Sequence, residues 1–480
     1  MSGLNLRRID PFRIEIARTP PMRTTGLVYA NRAIERTLEH ENVLQQVANV
    51  AALPGIIGPS MAMPDIHWGY GFPIGGVAAF SRDEGIISPG GVGYDINCGV
   101  CCILTGLKIG DVRPRMERLL ASLFNNVPSG VGSRNKALAV SNREFLQVLE
   151  LGARWAVKQG YAPPDDLQAH EDSGCIAGAD PDAVSAKALE RGQPQLGTLG
   201  SGNHFLELDV VDLVADADKA GAFGLFENQV VVLVHTGSRG LGHQICDDYV
   251  HEMVSAASRH GIALPDRQLA CAPVMSREGR EYFAAMASAA NFAFANRALI
   301  AFLIRETFEQ VFGGSAERLG MRLLFDCCHN IAKMEPIEWE GREVQACIHR
   351  KGATRALPPG DNRLPRRFMQ TGQPVLVPGD MGRMSYILSG AQGARETFFS
   401  ACHGAGRLLS RHEAKKRSRG RKILEELLSR DIHAMAASRA TLAEEIPEAY
   451  KDVSDVVDTI TGAGIAAAVA RLKPFAMVKG

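Results

Sequence analysis

The side chains in this chain best suited to hold metal or attack phosphorus sit in glycine- or asparagine-marked turns, not on helix faces. They are Asp95-Ile-Asn-Cys98, Asn203-His204, His235-Thr-Gly-Ser-Arg-Gly, His329-Asn330 and His403-Gly-Ala-Gly. Most are preceded by short apolar runs that read as strands; along the chain such runs stand at residues 100–104 and 229–234, with weaker patterns at 323–325, 346–348 and 375–377. Donors placed at strand ends can converge from distant parts of a chain. One thiolate, one carboxylate and several imidazoles gathered in this way make a metal centre with a histidine to spare.

Around these turns the pattern is mixed. Helical periodicity covers residues 30–52, 242–260 and 280–312, and it continues after His403 through residue 437. A final apolar helix is expected at 463–472. Strands and helices alternate without regular βαβ spacing, so the expected class is α+β: mixed sheets with surrounding helices. A length of 480 residues would allow roughly 3 domains. No Ser/Gly/Pro linker divides the chain, however, and the expectation is one large catalytic unit over residues 1–480 with a central metal cleft. The polar stretch 163–195 reads as a surface excursion.

Composition limits the partners. Lys+Arg and Asp+Glu both number 53, so a polyanion must be met by a local basic patch and not by a net field. Residues 411–422 form one candidate patch, and Arg350-Lys351 with Arg355 a second; the plain alternative for either is a solvated face. Ten cysteines without regular spacing, and a start lacking an apolar leader, point to a reducing cytoplasm. The longest apolar run, residues 283–304, is interrupted by Asn291, Asn296 and Arg297, which suits a buried helix and not a membrane span.

The donors can be weighed individually. Asp95 and Cys98, separated by two residues and flanked by glycines, can face one ion, and a thiolate can bridge two. A Cys98-x-x-Cys101 redox or zinc pair is the competing reading, weakened because no second such pair exists. His204 beside Phe205 and Leu206 would ordinarily be a core residue, but its flanking glycines make an anion-binding loop. His235 ends a strand, and Arg239 behind it suits a phosphate. Asp95, Cys98, His204, His235 and His329 together could hold two ions roughly 3.5–4 Å apart, as phosphoryl chemistry uses them. Their softness admits zinc, manganese or iron. His403 differs: glycines expose its ring, and a neutral imidazole is a competent nucleophile toward phosphorus. A turn histidine or a sixth ligand is the alternative.

Six segments carry a resemblance. They are residues 63–76 (Met-Pro-Asp-Ile-His-Trp-Gly-Tyr-Gly-Phe-Pro-Ile-Gly-Gly), 90–99, 200–205, 235–240, 328–332 and 403–407. In sequence and order they closely resemble the RtcB family of RNA-splicing ligases, over about residues 25–480. The resemblance implies a ligase dependent on GTP and manganese (two Mn2+ ions). Its RNA partners are an end bearing a 2′,3′-cyclic phosphate or 3′-phosphate and an end bearing a 5′-hydroxyl. It implies His403 as the guanylylated nucleophile and Cys98 as the bridge between ions. His204 and His235 would complete one site, and Asp95 with His329 the other.

It also implies a guanylate pocket from Asn203, His204, Phe205, Leu206, Glu207, His329, Asn330, Pro378, Gly379, Asp380, Met381, Ser385, His403, Gly404, Ala405, Gly406 and Lys479. Alone, Lys479 would read as a disordered tail. Arg239, Lys351 and Arg411 are similar to positions that contact RNA phosphates. Asp380, where many members carry Ser or Thr, and Cys101-Cys102, where an Arg is common, depart from the pattern. Archease is an activating partner that the resemblance admits. Two other functions fit parts of the same residues. A metal-dependent RNA end-processing phosphodiesterase would leave His403 and Lys479 superfluous. In a non-catalytic, metal-stabilised RNA-binding relative the ligands would matter to folding alone.

Overall fold

The computed structural model describes residues 3–38, 42–135, 138 and 140–480. Two large sheets organise them. The first runs Leu6–Asp10, Arg13–Ile16, Gly26–Tyr29, Ile56–His67, Ile74–Ser81, Arg342–Lys351, Asn330–Trp339. The second runs Arg322–Cys328, Gly99–Lys108, Gln229–Thr236, Phe205–Val214, Ala466–Lys479, Ser385–Gly390, Pro374–Val377, with His433–Ala436 parallel to Ala466–Lys479. Helices pack around both, as a mixed α+β fold requires.

The register of the second sheet gathers the donors. Four neighbouring strands are antiparallel, with Cys328 opposite Gly99, Gly99 opposite Thr236, and His235 opposite Phe205. His329 therefore leaves the first strand, Cys98 enters the second, His235 lies at the end of the third and His204 enters the fourth, all at one sheet end. Lys479 pairs with Phe205, so the penultimate residue arrives at the same end.

The helix Arg277–Phe312 lies beneath these loops, most of its residues buried. It is long and apolar enough to cross a membrane, but 89% of its most apolar window is buried inside the protein. The polar residues that interrupt it serve the fold. Asn296 accepts from the backbone of Gly197 and Thr198 at 2.7 and 3.0 Å. Fully buried Arg297 pairs with Asp326 at 2.7 Å and donates to the carbonyls of Asn97 and Thr236 at 2.8 and 3.0 Å. One guanidinium thus ties the Asp95–Cys98 turn to the end of the His235 strand. Arg297→Met should cost about 3–5 kcal/mol, since it removes the guanidinium partner of buried Asp326 and leaves two carbonyls unpaired in the interior. Chemical denaturation measures this, and a loss under about 1 kcal/mol would contradict the assignment.

Several expectations change. Residues 463–472 do not form a helix: Ala466–Lys479 is a strand paired on both sides. Alanine's helix propensity misleads here because a strand paired on both edges accepts small side chains, and tertiary pairing decides. After His403 come only two short helices, Arg411–Arg417 and Ile423–Leu428, and then the strand His433–Ala436. The pattern over 30–52 resolves into Arg32–Leu38 and Val43–Val50, with residues 39–41 outside the described set. Residues 163–195 run as short helices and connecting turns, from which Ile176, Val184 and Ala188 join the apolar cluster of the long helix.

The second basic patch is not a surface feature. Arg350 is buried against Glu335, and Arg355 against Glu171 and Asp172. Their partners lie far away in sequence, so local charge counting cannot see them.

Candidate active site

The five expected donors meet. Cys98 Sγ lies 3.4 Å from His204 Nε2 and 3.2 Å from His235 Nε2. His204 Nε2 is 2.8 Å from Asp95 Oδ2, and the Nε2 atoms of His235 and His329 are 3.2 Å apart. Two triads with all ligand atoms within 4.8 Å result: Asp95, Cys98, His204 and Cys98, His235, His329. The thiol is common to both. The pairing differs from the one the resemblance implied: His235 meets His329 and His204 meets Asp95 through the reach of their side chains, although the strand beside that of His235 is that of His204. Gly237 is needed here, since a Cβ on it would sit 2.6 Å from the Asp95 carboxylate oxygens.

The chemistry of this donor set fits cations. His204 Nδ1 faces the Leu199 carbonyl at 3.0 Å, which can only accept, so Nδ1 carries the proton and Nε2 looks inward. A neutral ring would then set a lone pair against the Asp95 carboxylate, and a cation between them removes that conflict. Burial, then the charges of neighbouring imidazoles, hold His235 and His329 well below the ordinary histidine range, so both offer free lone pairs at neutral pH. Burial pulls the Asp95 carboxyl upward, but positive charge at the His204 position outweighs it and leaves the group well below the usual carboxylate range, and a cation between the two would supply the same charge. Cys98 is pushed the other way, by burial and then by Asp95. A bound divalent ion would deprotonate that thiol outright.

His403 stands beside this cluster, its ring centroid 4.6 Å from that of His329. It leaves the short strand Ser400–Cys402, and Asp65 at the end of Ile56–His67 receives it. Asp65 Oδ2 accepts from the His403 backbone N–H at 2.9 Å and from Nδ1 at 2.6 Å. Nδ1 therefore holds the proton and Nε2 is the free nitrogen. Asp65 is buried, and Gly406 passes so close that a Cβ would strike the Asp65 carbonyl at 2.2 Å. Sequence reasoning gave Asp65 no role. Its only signal was membership of the irregular 63–76 segment.

A profile described as tRNA-splicing ligase RtcB matches residues 46–480. The tRNA-splicing ligase RtcB of Thermococcus kodakarensis is 53% identical over 477 residues, 99% of each chain. That of Archaeoglobus fulgidus is 50% identical over 483 residues, all of both chains. The RNA-splicing ligase RtcB of Mycobacterium tuberculosis is 49% identical over 437 residues, 91% of this chain and all of that one. The chain belongs to the RtcB family.

In this RtcB-family chain a cavity of about 600 Å³ runs from the two triads past His403. Its lining includes Asn203, Phe205, Glu207, Asn330, Pro378, Gly379, Asp380, Met381, Gly404, Ala405, Gly406 and Lys479, alongside Arg239 and Arg411. Two expected pocket residues stand behind the wall. Leu206 is buried in the apolar core on the opposite face of its strand, and Ser385 Oγ accepts from the Gly379 N–H at 3.1 Å. Lys351 reaches the cavity, but its ammonium is spent on the carbonyls of Tyr70, Phe72 and Gly90, and burial lowers it to about 7. It is a tether for the 70–90 turns, and the expected phosphate contact does not suit it.

The far wall is charged. Lys479 lies buried with its Nζ 5.4 Å from the Phe205 ring centroid and 3.9 Å from Glu445, which also pairs with Arg407 at 3.0 Å. Burial, reinforced by Asp209, holds Glu207 well above the usual carboxylate range, against the pull of Lys479. Burial likewise pushes Asp380 up to about 6, although Arg383 pairs with it at 3.0 Å. Glu445 and Tyr450 escaped sequence reasoning because nothing local marks them, and Arg407 was marked only as the last residue of the 403–407 segment.

Proposed function

We propose that this RNA ligase joins a 2′,3′-cyclic phosphate or 3′-phosphate RNA end to a 5′-hydroxyl end, in tRNA splicing or RNA repair, with GTP and two manganese ions. The observation that carries the reading is His403: a buried carboxylate fixes its Nδ1 proton, and its free Nε2 adjoins a cluster built around a shared thiol. Asp95, Cys98 and His204 would hold one ion, and Cys98, His235 and His329 the other. Bound there, such ions would offset phosphate charge and activate water for opening a cyclic phosphate.

The protein's own groups do the rest. His403 Nε2 attacks the α-phosphorus of GTP, forming an N–P bond as the bond to the β-phosphate oxygen breaks and pyrophosphate leaves. Asp65 stabilises the positive charge that builds on the ring. An RNA 3′-phosphate oxygen then takes the guanylyl group, expelling the imidazole, which is a good leaving group from a phosphoramidate. The 5′-hydroxyl attacks the activated 3′-phosphorus and GMP departs. Lys479 and the backbone amides at 404–406 face the nucleotide, while Arg239 and Arg411 meet strand phosphates.

The test uses the native protein with labelled GTP and manganese, and then two synthetic RNAs, one ending in a cyclic phosphate. An acid-labile, alkali-stable protein–GMP adduct and a sealed product are expected. Cleavage of the cyclic end without adduct or sealing would favour a phosphodiesterase. RNA binding with neither reaction would favour a non-catalytic relative.

A further inference from the structure

One group of side chains in the cleft has no part in this scheme. Tyr94 immediately precedes the ligand Asp95, and its ring meets that of Tyr70 edge to face, with centroids 5.6 Å apart at 73°. On its other side lies His243, 5.8 Å away and tilted by 35°. His243 sits one turn into the helix Arg239–Arg259, whose first residue, Arg239, has a left-handed backbone (φ 54°). All four line the same cavity.

These rings are not committed to the interior. Tyr70 and Tyr94 are half-buried and His243 is exposed. Among the described residues, neither phenol hydroxyl has a hydrogen-bond partner. The exposure extends outward: Trp68, two residues before Tyr70, is 53% exposed, whereas Trp155 is fully buried. The backbone beneath is rigid, because Lys351 ties down the Tyr70 carbonyl and Gln268 the Gly71 N–H at 3.0 Å. A fixed, open run of aromatic faces beside an arginine suits unpaired nucleic acid bases, which stack on such surfaces whatever their sequence.

The two walls of the cavity come from different segments. The nucleotide wall is built by 378–381, 404–407, 441–450 and Lys479, and none of the three rings belongs to it. An in-line displacement places attacking and leaving oxygens on opposite sides of phosphorus. A guanylate held by the first wall leaves the second to the attacking strand. We propose that Tyr70, Tyr94 and His243 form a stacking shelf for the first unpaired bases of the 5′-hydroxyl strand. This rests on the ligase reading above, and it adds the residues that would favour a single-stranded 5′ end.

The experiment measures sealing at saturating GTP, manganese and 3′-phosphate strand while the 5′-hydroxyl strand is varied. Tyr70→Ala with Tyr94→Ala should raise the KM for that strand about tenfold, while Tyr70→Phe with Tyr94→Phe keeps the native value. A strand whose first two nucleotides are abasic should show a similar rise with the native protein and little further rise with the alanine variant. Because Tyr94 adjoins a ligand, Tyr70→Ala alone must move KM in the same direction. An unchanged KM in the alanine variants, a full abasic penalty persisting in them, or a rise confined to the 3′-phosphate strand would each overturn the shelf. A native protein that seals no RNA would instead bring down the ligase reading, and this inference with it.

Discussion

Cys98→Ala should empty both metal subsites together and lower RNA sealing by about a thousandfold or more. Loss of a second-shell partner alone typically weakens a metal site by about 10–100-fold, and here the lost atom is the one ligand common to both triads. The sulfur sits 3.2–3.4 Å from two imidazole nitrogens, and without it each remaining set has only two of its three donors. Asp95→Ala and His329→Ala should differ in kind, each removing a donor from one triad. Bound manganese per chain separates these cases. The native protein should hold two ions and Cys98→Ala fewer than one, with Asp95→Ala and His329→Ala in between. Melting of the metal-free proteins should barely differ, because only one small buried group is deleted. Two retained ions in Cys98→Ala, or sealing within about tenfold of native, would mean that the thiol does not bridge.

The sequence carried the donors because each stands in a glycine- or asparagine-marked turn next to a strand, before it for Cys98 and His204 and at its end for His235 and His329, and strand ends are the legible part of a sheet. How the ends pair is not legible. The strand of His235 lies beside that of His204, yet His235 reaches His329 while His204 reaches Asp95, so the grouping of the donors emerged only with the placement of the side chains. The same limit explains the misread termini. Ala466–Lys479 looks helical by composition, and only two flanking strands make it extended and carry Lys479 into the cleft. Arg350, Lys351 and Arg355 look like a basic patch until their partners arrive from residues 70–90, 171–172 and 335. Local pattern shows what a residue can do; which partner completes it is a tertiary fact.

Asp65 shows this most sharply, and it shapes the prediction for His403. His403→Ala should abolish the protein–GMP adduct completely while leaving manganese binding intact, because the ring lies beside the triads without belonging to either. Asp65→Ala should keep the nucleophile but slow adduct formation by about 10²–10⁴-fold, the scale of losses when a carboxylate no longer orients a catalytic histidine. Two donors, the His403 N–H and Nδ1–H, would lose their common acceptor in a buried setting, and the proton could move to the nitrogen that must attack. Asp65→Asn should fall between the two, since an amide oxygen can still accept both hydrogen bonds but lacks the charge that stabilises an imidazolium. The order native, Asn, Ala at position 65, with His403→Ala inactive, is what an oriented nucleophile requires. An adduct surviving in His403→Ala would assign the chemistry to another residue. Equal rates for native and Asp65→Ala would reduce the buried carboxylate to a structural contact.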